Sequence, residues 1–163
     1  MSDTEQQQAE AQTALAELHQ QERELRFDSF GYDEAWQLGL LLVRLGRERS
    51  HPIAVEITLG EQRVFHVALP GASADNDDWL ERKARVVRRF GHSSLAVQAW
   101  FRAGGRDFDR DSRLDPRQFA AHGGCFPLVV GDVLVGVVGV SGLAQVDDHA
   151  LVIEALREFA AGR

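Results

Sequence analysis

Two short stretches of this 163-residue chain carry residues whose types and spacing could do chemistry. The first is Trp79–Phe90, WLERKARVVRRF. At about 100° per residue from Trp79, the apolar residues Trp79, Leu80, Val86, Val87 and Phe90 share a sector centred near ~40°, and Lys83 also lies at about 40°. A lysine in phase with an apolar stripe either snorkels along it or meets a buried acceptor. Arg82, Arg85, Arg88 and Arg89 fall on the other faces, where a solvated helix keeps its charges. The second stretch is Ala120–Leu143, AAHGGCFPLVVGDVLVGVVGVSGL. Its His122-Gly123-Gly124 turn has two readings, a helix C-cap or a turn whose N–H groups receive an anion. Ser141-Gly142, at a strand end before a helix, offers the same two. A lysine ammonium together with free N–H groups would suit a carboxylate.

Other reactive side chains are isolated. His19, His51, His66, His92, His122 and His149 are scattered singly, so a metal site would have to be assembled in three dimensions, and no metal ligand is assigned from the sequence. Cys125 adjoins an apolar strand and has no neighbouring base in the sequence, which points to an inert core thiol. The chain has no phosphate-binding Walker loop, dinucleotide GxGxxG, HExxH, GxSxG or covalent-haem motif. No complete acid/base pair emerges. Catalytic residues therefore stay unassigned, and whether the protein is an enzyme stays open.

Composition narrows the partners. A net charge of −7 argues against a broad nucleic-acid surface, which needs excess Lys and Arg. A single cysteine excludes an internal disulfide framework and suits a reducing compartment. No apolar h-region or bilayer-length apolar run is present, so the expected location is cytoplasmic, without a membrane partner.

The positioning elements follow from periodicity. Met1 to Gln12 is polar and reads as a flexible N-terminus, leaving 13–163 as one domain. A first helix is expected from roughly Gln8 to Leu25, and a second after an Asp33 N-cap, with Trp36, Leu40 and Val43 along its stripe. Alternation over Ile53–Leu69 indicates a hairpin. A helix capped by Ser73, Asp75 or Asn76 runs to Phe90, and Ser93 or Ser94 starts another, ended by Gly104-Gly105. In LDPRQFAAHGG, Asp115 and Pro116 look like a helix start and Gly123-Gly124 its stop. Phe126–Val130 and Val133–Ser141, joined by Gly131-Asp132, form a second hairpin whose apolar faces suit central strands, with Pro127 expected at a strand start. A last helix begins near Asp147, with Val152, Leu156 and Phe159 on one stripe. The sum is an α+β domain, an antiparallel sheet flanked by helices.

The pattern GGCFPLVVGDVLVGVVGVSGLAQVDDHALV resembles the GlcG/HbpS-like, or haem-degrading domain, family. Gly124, Pro127, Gly136, Gly139, Val140, Ser141, Gly142 and Asp147 match its C-terminal half, and Lys83-Ala84 resembles its central Lys-Ala pair. From about Leu25 onward, LRFDSFGYDEAWQLG, LPGASADNDDWLERKARVVRRFGHSS and LDPRQFAAHGG look like an uncharacterised branch. Leu143 replaces a frequent glycine, and Arg85-Val86 replaces a small Thr-Ala pair. The resemblance implies a profilin-like or PAS-like fold, assembly into dimers or larger rings, and in some relatives haem binding or degradation.

Two functions follow as expectations. One is a haem-binding or small-carboxylate-binding protein using Lys83, His122, Gly123, Gly124, Ser141 and Gly142, with haem as the cofactor the resemblance makes possible and His122 able to approach its iron. The other is a non-enzymatic homo-oligomeric interaction or scaffold module, with the broad apolar face of Asp33–Arg49 buried between subunits.

Overall fold

The computed structural model describes Met1–Arg163. Its elements in chain order are α1 (Asp3–Glu24), α2 (Tyr32–Glu48), β1 (Ala54–Leu59), β2 (Gln62–Ala68), α3 (Ala74–Phe90), α4 (Ser94–Ala103), α5 (Phe108–Asp111), β3 (Cys125–Val130), β4 (Val133–Ser141) and α6 (Gln145–Ala161). Together they make one α+β domain whose antiparallel sheet has the order β2-β1-β4-β3. Ala54 faces Ser141 and Cys125 faces Gly139, so β4 joins the two hairpins at the centre.

Side-chain alternation divides the core. Val55, Ile57, Phe126, Leu128, Val138 and Val140 face α2 and α6, joining Leu38, Leu42, Val152 and Leu156. Ala54, Cys125 and Val137 face the opposite way, against Leu80, Ala84 and Val87 of α3. Covering both faces excludes water from the sheet and explains strands that are apolar throughout. The outer layer is thinner: α1 lies along α4 and buries only Leu18, against Ala96 and Ala99. No helix is long and apolar enough to cross a membrane.

Several expectations change in the structure. The N-terminal dozen residues, read as flexible, are helical from Asp3 because Ser2 and Glu5 cap each other: Ser2 N–H donates to Glu5 Oε2 at 2.7 Å and Glu5 N–H to Ser2 Oγ at 3.3 Å. The α2 stripe is also rotated, for Trp36 and Leu40 are 59% and 45% exposed while Ala35, Leu38, Gly39, Leu42, Leu45 and Gly46 turn inward. Glycine decides this: a Cβ on Gly39 would lie 2.5 Å from the Phe65 ring, so the helix sits on the sheet through its smallest residues. A hydrophobicity count cannot register a contact made by an absent side chain.

The Asp115–Pro116 helix is replaced by a single turn, in which the Gln118 and Phe119 N–H groups both donate to Asp115 O. Beyond it the chain is drawn onto α3, with Ala120 N–H donating to Arg82 O at 3.2 Å and Arg85 Nη1 to Gln118 O. These bonds use groups that a longer helix would need for itself. Finally, β3 is an edge strand rather than a central one, which accommodates Pro127 two residues inside it; near its end, Phe27 N–H donates to Val129 O.

Candidate functional site

Lys83 does point inward with the core residues, and the structure supplies its acceptors. It is 2% exposed, and its Nζ donates to Gly123 O at 3.0 Å and Val140 O at 2.8 Å, with Asp148 Oδ2 at 3.7 Å. Asp148, in the first turn of α6, accepts the Leu143 N–H on its other oxygen at 2.9 Å. One ammonium therefore ties α3 to the end of β4, the turn before β3 and the start of α6. Burial pushes the Asp148 carboxyl up to about 6, against the opposing pull of Lys83 and the backbone N–H groups.

The sequence-derived site residues gather around this knot, except one. Gly124 has φ +133°, and a Cβ there would meet Lys83 Nζ at 2.4 Å. Gly123 is closed by Gln145, whose Oε1 accepts its N–H at 3.0 Å and also the Gln98 Nε2 at 3.0 Å. Ser141 is buried, 3.4 Å from Asn76 Nδ2, and Gly142 lies against Pro52 O. The Gly123 N–H and the Lys83 ammonium, expected to meet an external anion, thus engage the chain's own amide, carbonyl and carboxylate oxygens. His122 diverges from the knot: its ring meets Trp79 edge-on at 5.0 Å, and burial lowers its basicity. It lines a recess of about 230 Å³ with Gln98, Arg102, Asp107, Phe108, Asp109 and Ala121.

The larger opening lies between α1 and α4, a cleft of about 850 Å³ that shares Gln98, Arg102 and Asp107 with the His122 recess. Ala11, Ala14, Leu18, Leu95 and Ala99 form its apolar wall, and Arg102, Arg106 and His149 also line it. Arg102 and Arg106 pair with no carboxylate; Arg106 stacks over Phe101 at 4.5 Å. His149 is 5% exposed. With its Nε2 donating to Gln21 Oε1 at 2.8 Å, the buried Nδ1 is the unprotonated nitrogen and has no partner. Burial pulls this imidazole down to about 4, which keeps it neutral at pH 7.

Asp148, His149 and Arg102 stand outside the site residues that the sequence indicates. Asp148 recurs with Val152, Ala155 and Phe159 at helical spacing, the same in-phase signal that singled out Lys83. Cys125 agrees with the inert reading: it is buried, and desolvation pushes its thiol up to about 12.

Comparison with known proteins places this geometry among relatives. The family model described as haem degrading protein HbpS-like matches residues 30–157. A UPF0303 protein from Streptomyces avermitilis is 56% identical over 146 residues, covering 89% of this chain and 90% of that protein. The crystal structure of Ybr137w protein superposes with a TM-score of 0.83 at 28% identity, covering 91% of this chain and 88% of that one. The crystal structure of a PduOC:heme complex shares the fold, with a TM-score of 0.67 at 18% identity over 79% of this chain and 94% of that one.

Proposed function

Because the chain belongs to the haem degrading protein HbpS-like family, we propose that it binds haem or a smaller carboxylate-bearing ligand in the cleft between α1 and α4. The observation that carries this reading is a cleft whose lining sets Arg102 and Arg106, unpaired with any carboxylate, beside Glu10, Glu17 and Asp107, and includes His149, whose buried Nδ1 has no partner. A neutral imidazole nitrogen is a ligating atom, and a volume of about 850 Å³ lies within the range of small-molecule and cofactor sites. Haem, when bound, supplies a redox-active iron. The chain's own residues divide the remaining work. Arg102 and Arg106 would receive carboxylates, Leu18, Leu95 and Ala99 exclude water from one wall, and His149 would present a nitrogen once its ring turns from the Gln21 contact that now holds it.

The residues singled out from the sequence serve this site at different removes. His122 reaches it through the recess that shares Arg102. Lys83, Gly123, Gly124, Ser141 and Gly142 fix the turn and the start of α6, and so the placement of His149. A reducing cytoplasmic setting accords with the single buried thiol.

Haem titration followed by absorbance tests the proposal, with oligomeric mass recorded throughout. Saturable binding is expected, weakened about tenfold or more by His149→Gln and by Arg102→Ala, the scale of a lost charged or ligating contact. A small dicarboxylate that competes with haem would identify the arginines as the shared determinant. Equal, unsaturable spectral changes in the parent and both variants would overturn the haem reading, since haem adheres to many apolar surfaces.

A second reading, homo-oligomeric assembly, is favoured by a specific observation on α2. Tyr32, Trp36 and Leu40 recur every fourth residue and are all exposed, an apolar stripe outside the protein's own core. A second copy of the chain suits it, because an isologous dimer lays one such stripe against another. Light scattering at micromolar concentration should give a mass above that of the monomer, reduced by Trp36→Glu with Leu40→Glu. A persistent monomer in the parent would reject assembly.

A further inference from the structure

One cluster of ligating side chains lies outside the cleft and the Lys83 knot. His19 and Glu22 stand three residues apart on one face of α1, and His92 lies in the short turn between α3 and α4. Their donor atoms all lie within 4.8 Å of one another, and none of the three lines the cleft. The two imidazole rings are 4.8 Å apart between centroids. Glu22 is anchored by a backbone group: Oε1 accepts the Ser93 N–H at 2.6 Å, at the start of α4, while Oε2 meets His92 Nδ1 at 2.8 Å.

We propose that His19, Glu22 and His92 bind one divalent transition-metal ion, with water completing its coordination. Two imidazoles and one carboxylate form a nitrogen-rich donor set that suits zinc-like ions and disfavours magnesium and calcium, which prefer oxygen. A bare Glu22–His92 pair would explain two of the three side chains. It leaves His19 unexplained, a second imidazole beside the first with no hydrogen bond of its own. Donors around a zinc-sized ion at ~2.1 Å sit roughly 3.4 Å apart, so closing the site takes small rotations of the two rings. His92 is exposed and His19 half-buried, which leaves both rings room to turn. The carboxylate is the fixed element, because its bond to Ser93 orients it as outer-shell contacts orient metal ligands. Binding would add a metal clip between α1 and the α3–α4 turn to the hydrogen bonds that Glu22 already makes there.

The test is calorimetric titration of the untagged full-length chain with Zn²⁺ alone, together with thermal unfolding midpoints. The proposal expects one saturable site per chain and a midpoint that rises with Zn²⁺ but not with Mg²⁺. His19→Ala should weaken Zn²⁺ binding by about tenfold or more and abolish the rise, as should Glu22→Gln, which retains an acceptor for Ser93. His19 is the decisive position, since its removal costs the metal-free fold only its packing. Equal binding by the parent and His19→Ala, or no saturable Zn²⁺ binding by the parent, would overturn the proposal.

Discussion

Replacing Lys83 by alanine should lower the stability of the protein by about 3–5 kcal/mol, the range for removing one partner from a buried charge pair. Two carbonyl oxygens, Gly123 O and Val140 O, lose their donor, and the Asp148 carboxylate loses its counter-charge. None can turn to water, because the region is closed by α3 and α6. Lys83→Met restores most of the volume without the hydrogen bonds, so it should recover only the packing share. Asp148→Asn should cost less than Lys83→Ala, since the ammonium keeps two carbonyl acceptors and an asparagine oxygen can still receive the Leu143 N–H. Removing both partners should therefore cost less than the sum of the two, with a coupling of roughly 0.5–3 kcal/mol. Denaturant midpoints measured at constant unfolding slope would give these values. A Lys83→Ala protein as stable as the parent would refute the view that this lysine holds three elements together.

The lysine also marks where sequence reading reaches and where it stops. Phase alone put Lys83 among core residues, because helical geometry is local and a lysine at the centre of an apolar sector has nowhere else to point. The hairpins were legible for the same reason: alternation over Ile53–Leu69 and the Gly131-Asp132 turn are properties of short segments. Strand order was not, since placing β3 at an edge depends on pairing β1 with β4 across a long sequence separation. The inward face of α2 was hidden because Gly39 and Gly46 make the contact and Trp36 does not. At the site, sequence grouped Lys83 with Gly123, Gly124, Ser141 and Gly142, and the structure does gather them. It could not show that Asp148 already occupies the ammonium, nor that His19 and His92 meet through the packing of α1 beside α4.

Adjacent residues at the start of α6 should give stability two opposing dependences on pH. His149 titrates at 6.5 when unfolded and at about 4 in the fold. Its folded value is depressed, so its contribution is fully present above pH 6.5 and is lost as pH falls through about 4; at ~1.4 kcal/mol per pH unit this amounts to ~3 kcal/mol. Asp148 moves the other way, from 3.8 to about 6. Its folded value is raised, so its contribution is fully present below about 3.8 and is lost as pH rises through about 6, again ~3 kcal/mol. Between pH 4 and 6 the two slopes largely offset one another. His122, also depressed by burial, adds to the direction of His149, so the difference between variants is the informative measure rather than the parent curve. In His149→Gln, whose amide can still meet Gln21, stability relative to the parent should improve by about 3 kcal/mol on going from pH 6.5 to 4. Asp148→Asn should show the reverse, losing about as much relative to the parent over the same interval. Urea unfolding at pH 4, 5, 6 and 7 would resolve the two trends, and profiles parallel to the parent in both variants would reject the buried, unpartnered state of His149 together with the desolvated state of Asp148. The result bears on the proposed site, because the same desolvation that makes acid costly to His149 keeps its imidazole neutral near pH 7.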